Sequence, residues 1–336
     1  MKTIKCFLLL TGIFCTFYFY SCDDAGTIPS NITAGTISLS QSNLKSVDPN
    51  VDGVFQLWIA IDTANQREWF SAGRFNINSS GGIIGADGNA LSLNFSGDTN
   101  RLHLAAHALV TLEKDNDLAP SPYRIMSGPL TVTTDSVYGT LTLAGGEALG
   151  NVGVELGALG PPYSPGKYIL NSPTTNNVEC LKGLWFRDPQ GNSMSPGLNL
   201  PGGSGWKYEA WLYNIQLQQY YSMGRFRNYN AADENGPGDP SCVGPDPGYP
   251  VPGQDWIYSV GSCPAISNLN NGTYSVFITL EPFDESGASL SSPFFLRLFD
   301  RVGGIQSSLQ CGQLDPFIRS MASDLKIPRA TIRIAR

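Results

Sequence analysis

The sequence predicts an all-β fold, two tandem antiparallel β-sandwich domains with a short C-terminal helix, and three observations predict it. Glycine (37 residues) and proline (23) are plentiful while charged residues reach only 15% of 336 positions, a composition suited to short strands joined by many turns. Apolar stretches alternate or are rich in β-branched and aromatic residues, and each is bounded by Gly, Pro, Asn or Asp, which marks strands and not helices. Three sequence blocks also occur twice in the same order, so the chain carries a duplicated module.

The first 21 residues stand apart from this pattern. Lys2 and Lys5 precede an apolar run of about 14 residues from Phe7 to Tyr20. That run reads as a secretory signal, shorter than the ~20 residues of a membrane span. The junction Ser21-Cys22-Asp23-Asp24 resembles the lipobox of lipoproteins of the Bacteroidetes type, with Phe19 where an aliphatic residue is usual. The resemblance implies cleavage after Ser21 and acylation of Cys22, with more than one acyl chain giving stable membrane anchoring. The expected location is the bacterial cell envelope, lipid-anchored at the outer membrane and facing either the periplasm or the surface. Residues 22–34 form a polar linker. Without residues 1–21 the basic residues fall to 19 against 28 acids, net −9, which argues against nucleic acid as a partner.

The remaining ~315 residues exceed what one core usually serves, so two domains are expected. The first module is placed at 35–160 and the second at 161–336, joined near the semi-rigid Gly-Pro-Pro-Tyr-Ser-Pro stretch at 160–165. Phe55-Gln56-Leu57-Trp58-Ile59 reappears as Tyr208-Glu209-Ala210-Trp211-Leu212. Gly73-Arg74-Phe75 reappears as Gly224-Arg225-Phe226, and Val110-Thr111-Leu112-Glu113 as Ile278-Thr279-Leu280-Glu281. Both copies then enter a turn with proline and an aromatic ring, at Pro122-Tyr123 and Pro293-Phe294. Further strands are expected at 36–40, 91–95, 102–106, 130–133, 140–144, 167–171 and 330–334, and the helix at 314–325. In the first block Phe55, Leu57, Ile59 and Ile61 share a face that must be core, while Gln56 and Trp58 share the other. Because both copies keep the Trp, packing is the preferred role for Trp58 and Trp211. A pairing kept in both copies is also expected between Arg74 and Glu113 and between Arg225 and Glu281.

At these blocks the sequence resembles the extracytoplasmic domain of anti-sigma-K factors. The second copy adds Gly183-Leu184-Trp185-Phe186, Leu198 to Leu200, and Pro252-Gly253-Gln254-Asp255-Trp256 to the likeness. The resemblance implies a β-sandwich. It does not carry sigma-factor regulation with it, because no zinc-binding helical domain or true span accompanies the blocks and a lipoprotein does not reach a cytoplasmic sigma factor.

Of seven cysteines, Cys6, Cys15 and Cys22 belong to the export segment, leaving Cys180, Cys242, Cys263 and Cys311. An even set in an exported protein reads as disulfides, and four cysteines allow three connectivities. Gly73 to Glu113 spans 40 residues and Gly224 to Glu281 spans 57, so 17 extra residues lie in the stretch with Cys242 and Cys263. A stretch so rich in Pro, Gly and Asp has no core of its own. Economy of reach therefore favours Cys242–Cys263 closing it, with Cys180–Cys311 tying the start of the second module to its C-terminal segment.

Signals for catalysis are poor, and the expectation is that the chain is not an enzyme. His103 and His107 lack the pattern of metal ligands, Gly202-Gly203-Ser204-Gly205 lacks the lysine and helix of a phosphate cradle, and no motif nominates a carboxylate pair. No cofactor or metal is expected. Asp233, Glu234, Asn235 and Asp239 are a weak calcium candidate without the alternation of an EF-hand, and read better as a solvated loop. Aromatics concentrate in the second module, where Trp185, Trp206, Trp211, Tyr213 and Trp256 are candidate binding residues for an extracellular glycan or protein. The expected function is a membrane-anchored, non-catalytic binding or structural scaffold. The alternative is a glycan- or peptide-processing enzyme with its site in the aromatic cleft of the second module, and a third reading is a subunit of a larger surface assembly.

Overall fold

The structure is a computed structural model that describes residues 34–64, 66–143, 167–171, 181–186, 205–227, 253–255, 268–282, 292–300, 304–308, 310–311, 313–316 and 328–336. The fold is all-β, and every strand pair is antiparallel. In the first half the strands are β1 (Thr36–Ser42), β2 (Val54–Asp62), β3 (Arg67–Ile77), β4 (Ile83–Gly85), β5 (Leu93–Asn94), β6 (Ala105–Glu113), β7 (Arg124–Val132) and β8 (Ser136–Thr142). The second half adds β9 (Lys167–Asn171), β10 (Gly183–Trp185), β11 (Lys207–Asn214), β12 (Gln219–Phe226), β13 (Gly253–Asp255), β14 (Tyr274–Glu281), β15 (Arg297–Asp300), β16 (Leu314–Pro316) and β17 (Arg329–Ala335).

The largest sheet has nine strands in the order β4-β3-β2-β6-β7-β8-β17-β1-β5. It curls until the β5 edge returns to β3, where the Phe70 and Phe95 rings lie 5.3 Å apart. A Cβ on Gly73 would meet the tip of the Leu93 side chain at 2.8 Å, so a side chain at Gly73 would have to displace that leucine. Two four-stranded sheets follow, β12-β11-β14-β15 and β13-β10-β9-β16. The first of them repeats the β3-β2-β6-β7 portion of the large sheet strand for strand.

As the parity of β2 requires, Phe55, Leu57, Ile59 and Ile61 are fully buried, each stabilising by roughly 1.5–3 kcal/mol. One core cluster takes in these side chains together with Tyr208, Ala210, Leu212, Ile278 and Leu280 from β11 and β14. The halves meet in ring contacts, with Tyr123 and Trp206 5.8 Å apart and Phe55 and Phe295 6.3 Å apart. Residues 33–336 accordingly form one compact unit.

Three expectations need correction. The final strand, assigned to the second module with residues 161–336, lies in the first-half sheet between β1 and β8, where Ala330, Ile332 and Ile334 reach the core. Alternation identifies a strand but carries no information about its neighbours. The helix expected from residue 314 is not what begins there: Leu314–Pro316 is strand β16, paired with β9, and 317–325 lie outside the described residues. The strand expected at 102–106 is instead a 3-10 turn, Thr99–Leu104, followed by β6. The Asp98 side chain accepts from the Asn100 N–H and nucleates that turn, separating His103 from His107 in β6.

Close backbone contact between β7 and β8 yields a first prediction. A Cβ on Gly128 would lie 1.9 Å from the Thr140 carbonyl oxygen, and the obstacle is backbone, not a movable side chain. Gly128→Ala is expected to cost at least about 2–3 kcal/mol in urea unfolding.

Candidate functional site

The duplicated blocks converge on a buried polar cluster that occurs once in each half. In the first, the Trp58 indole N–H donates to Thr111 Oγ1 at 2.8 Å, and that hydroxyl donates to Glu113 Oε1. The same carboxylate oxygen accepts the Ser121 N–H at 2.9 Å. In the second, Trp211 donates to Thr279 at 2.9 Å, Thr279 donates to Glu281 Oε1, and Glu281 accepts the Phe294 N–H at 3.0 Å. Trp, Thr and Glu are each at most 3% exposed in both copies. The chain of bonds ties a central strand to its neighbour and to the segment entering the next strand.

Identical registers produce these identical clusters. Gln56 faces Thr111 and Glu209 faces Thr279 across the central pair. A bulge follows in each outer pairing, between Leu57 and Trp58 and between Glu209 and Trp211. The glycine of each Gly-Arg-Phe block sits at this bulge with positive φ, 132° at Gly73 and 99° at Gly224, a conformation that glycine adopts without strain. The turns match through Ser121 and Phe294, so Pro122-Tyr123 corresponds to Phe295-Leu296 and not to Pro293-Phe294. The bonds from the Leu112 N–H to Tyr123 O and from the Leu280 N–H to Leu296 O, both 2.9 Å, confirm that alignment.

The arginines differ from expectation and from each other. Arg225 Nε donates to Glu209 Oε2 at 2.9 Å, on its own hairpin, and its expected partner Glu281 lies beside this pair. Arg74 reaches Glu113 through the backbone, donating to the Glu113 carbonyl at 3.2 Å and the Lys114 carbonyl at 3.3 Å. The reason is one substitution between copies: Gln56 stands where the second copy has Glu209, so the first copy offers Arg74 no carboxylate there. Each of these residues engages a serine of the adjacent strand, Gln56 with Ser71 at 3.0 Å and Glu209 with Ser222 at 2.6 Å. These partners escaped sequence reading, although Ser71 and Ser222 both stand two residues before the glycine of the repeated block.

The second cluster therefore holds two carboxylates and one arginine. Burial, and after it the negative charge of Glu209, pushes the Glu281 carboxyl up to about 8. The Thr279 hydroxyl, the Phe294 N–H and Arg225 act in the opposite direction without prevailing. The neutral form of Glu281 is thereby favoured over the ionised one.

The candidate binding aromatics divide differently from expectation. Trp185 (2% exposed), Trp206 and Trp211 are core and present no open stacking face, because both faces of the central strands are covered. Tyr213 is half-buried and stacks on Tyr220 at 4.7 Å. Trp256 lies outside the described residues, as do the lipidation site Cys22, the calcium candidates Asp233, Glu234, Asn235 and Asp239, and Cys180, Cys242 and Cys263. Cys311 Sγ lies 3.8 Å from Asn171 Oδ1 at the end of β9. Among the described residues no group of three or more metal-ligating side chains converges.

If the clusters are structural, equal lesions should have equal costs. Thr111→Val and Thr279→Val each strip the indole N–H of its acceptor and the glutamate of a donor. Each is expected to destabilise by about 1–3 kcal/mol per unpaired group, with similar shifts of the urea midpoint for the two variants.

Comparison of the chain with protein-family models, with curated proteins and with solved structures finds no match in any of the three.

Proposed function

We propose that this chain is an exported, membrane-anchored lipoprotein that acts as a non-catalytic binding or structural scaffold built from two anti-sigma-K-like β modules. The observation that carries the reading is the duplicated cluster. Its Glu, Thr, Trp and Arg side chains, the groups with most chemical potential in the repeat, face one another in the interior and hold strands together. The Trp–Thr–Glu network common to both copies meets a requirement of the fold more simply than two matching reaction sites would. The enzymatic alternative needs an open aromatic cleft in the second half, and the burial of Trp185, Trp206 and Trp211 speaks against one at those residues. Disulfides Cys180–Cys311 and Cys242–Cys263 would brace that half in an oxidising compartment.

Anchoring is tested by metabolic labelling with radioactive palmitate. Label is expected in the wild-type chain and absent from Cys22→Ala, and equal labelling of both overturns the anchor.

A further inference from the structure

One strand of the curled sheet is unpaired along part of one edge among the described residues. β1 pairs with β17 over six residue pairs, Ile37 to Ser42, but with β5 only through Thr36 and Ile37. From Ser38 to Ser42 its other edge has no strand partner among the described residues. β4 pairs only with β3, so its outward edge is also open among the described residues. Ile37 to Gln41 of β1 line a groove of about 480 Å³ together with the Gly81-Gly82 turn before β4, Ile83, Leu91 and Leu93. Gln41 reaches across it, its Nε2 donating to the Gly81 carbonyl, in the turn before β4, at 2.6 Å.

We propose that this groove binds an extended, uncharged peptide segment with apolar side chains at alternate positions, which adds as a strand along β1. The inference rests on the binding half of the scaffold reading and names its partner class. Charge selects the occupant first. None of the residues lining the groove is charged, in a chain of net charge −7, and a charged side chain entering it would lose water with no counter-charge in the walls. Shape selects it next. Unpaired strand edges are templates for another strand, and the β1 edge from Ser38 to Ser42 is such an edge among the described residues. The alternation of β1 supplies the register: Ile37 and Leu39 turn inward while Ser38 and Ser40 are exposed, so an added strand continues apolar-in, polar-out. A second copy of the chain is a poorer occupant, because a five-residue edge buries far less than the ~1,200 Å² of a stable interface.

The test uses the full chain in detergent and a fluorescein-labelled, acetylated and amidated heptapeptide, Ser-Val-Thr-Val-Ser-Val-Thr. Saturable binding by anisotropy is expected, with slowed hydrogen exchange at residues 38–42. Binding should weaken at least tenfold in Leu39→Glu, in Ile83→Lys on the opposite wall, and when Glu replaces the peptide's central Val. Unchanged thermal unfolding of either variant shows that its loss is local. Absence of saturable binding, or equal binding by both folded variants, overturns the groove. That failure is distinguishable from failure of the scaffold reading, because palmitate labelling at Cys22 reports on the anchor alone.

Discussion

Deleting residues 328–336 is expected to abolish cooperative folding, although the deletion removes only the last strand. β17 makes six residue pairs with β1 and seven with β8, and both strands lose a central neighbour when it goes. Ile332 and Ile334 are 2% and 0% exposed, each worth roughly 1.5–3 kcal/mol of burial. The ladder bonds add ~0.5–1.5 kcal/mol apiece. Together these match or exceed the whole ~5–15 kcal/mol stability typical of a folded chain. Urea unfolding followed by tryptophan fluorescence should lose its sigmoidal transition, and hydrogen exchange should accelerate first in β1 and β8. A milder lesion, Ile332→Ala, should shift the midpoint by about 2–5 kcal/mol and keep the transition. Normal protection of β1 and β8 after the deletion would contradict the placement of β17.

Replacing Glu281 by Gln is expected to stabilise the protein at alkaline pH and to flatten its pH dependence. The folded-state carboxyl titrates near 8 and the unfolded one near 4.5, so between those values the folded chain holds a proton that the unfolded chain has released. Stability therefore falls as pH rises from about 5 to 8 and levels off above the folded value. At 1.36 kcal/mol per unit the full effect is on the order of 3–5 kcal/mol. The amide that replaces the carboxyl stays neutral at every pH and keeps an oxygen to accept from Thr279 and Phe294. Unfolding free energies of wild type and Glu281→Gln should converge near pH 5 and separate by a few kcal/mol at pH 9. Parallel curves would show that Glu281 is ionised throughout. The first-half cluster offers an internal contrast, since Gln56 already stands there in place of a second carboxylate.

Several features of the site were legible in the sequence because they are local. The alternation in Phe55 to Ile61 separates a core face from the Gln56–Trp58 face before any coordinate is known. The repeated Gly-Arg-Phe marks a backbone irregularity, and Gly73 and Gly224 do take positive φ at matching bulges. Packing was rightly preferred for Trp58 and Trp211 because a ring kept in both copies has a common role in both. The arginine partners were not legible. Arg225 has Glu209 and Glu281 within reach of its neighbourhood, and only the register of β11 against β12 makes Glu209 the direct one. The aromatic count of the second half likewise predicts apolar area but says nothing of whether that area faces solvent.

The all-β class, the duplication and the core face of β2 could be read from the sequence, because each follows from side-chain period, turn residues and local backbone preference over a few positions. Which strands are neighbours emerges from the folded chain alone. The placement of β17 between β1 and β8, the merging of both halves into one core, and the open edge beside Gln41 depend on contacts between residues far apart in the chain. Hydrophobic alternation is satisfied equally by any buried strand position, and the choice among positions is made by the packing of the whole.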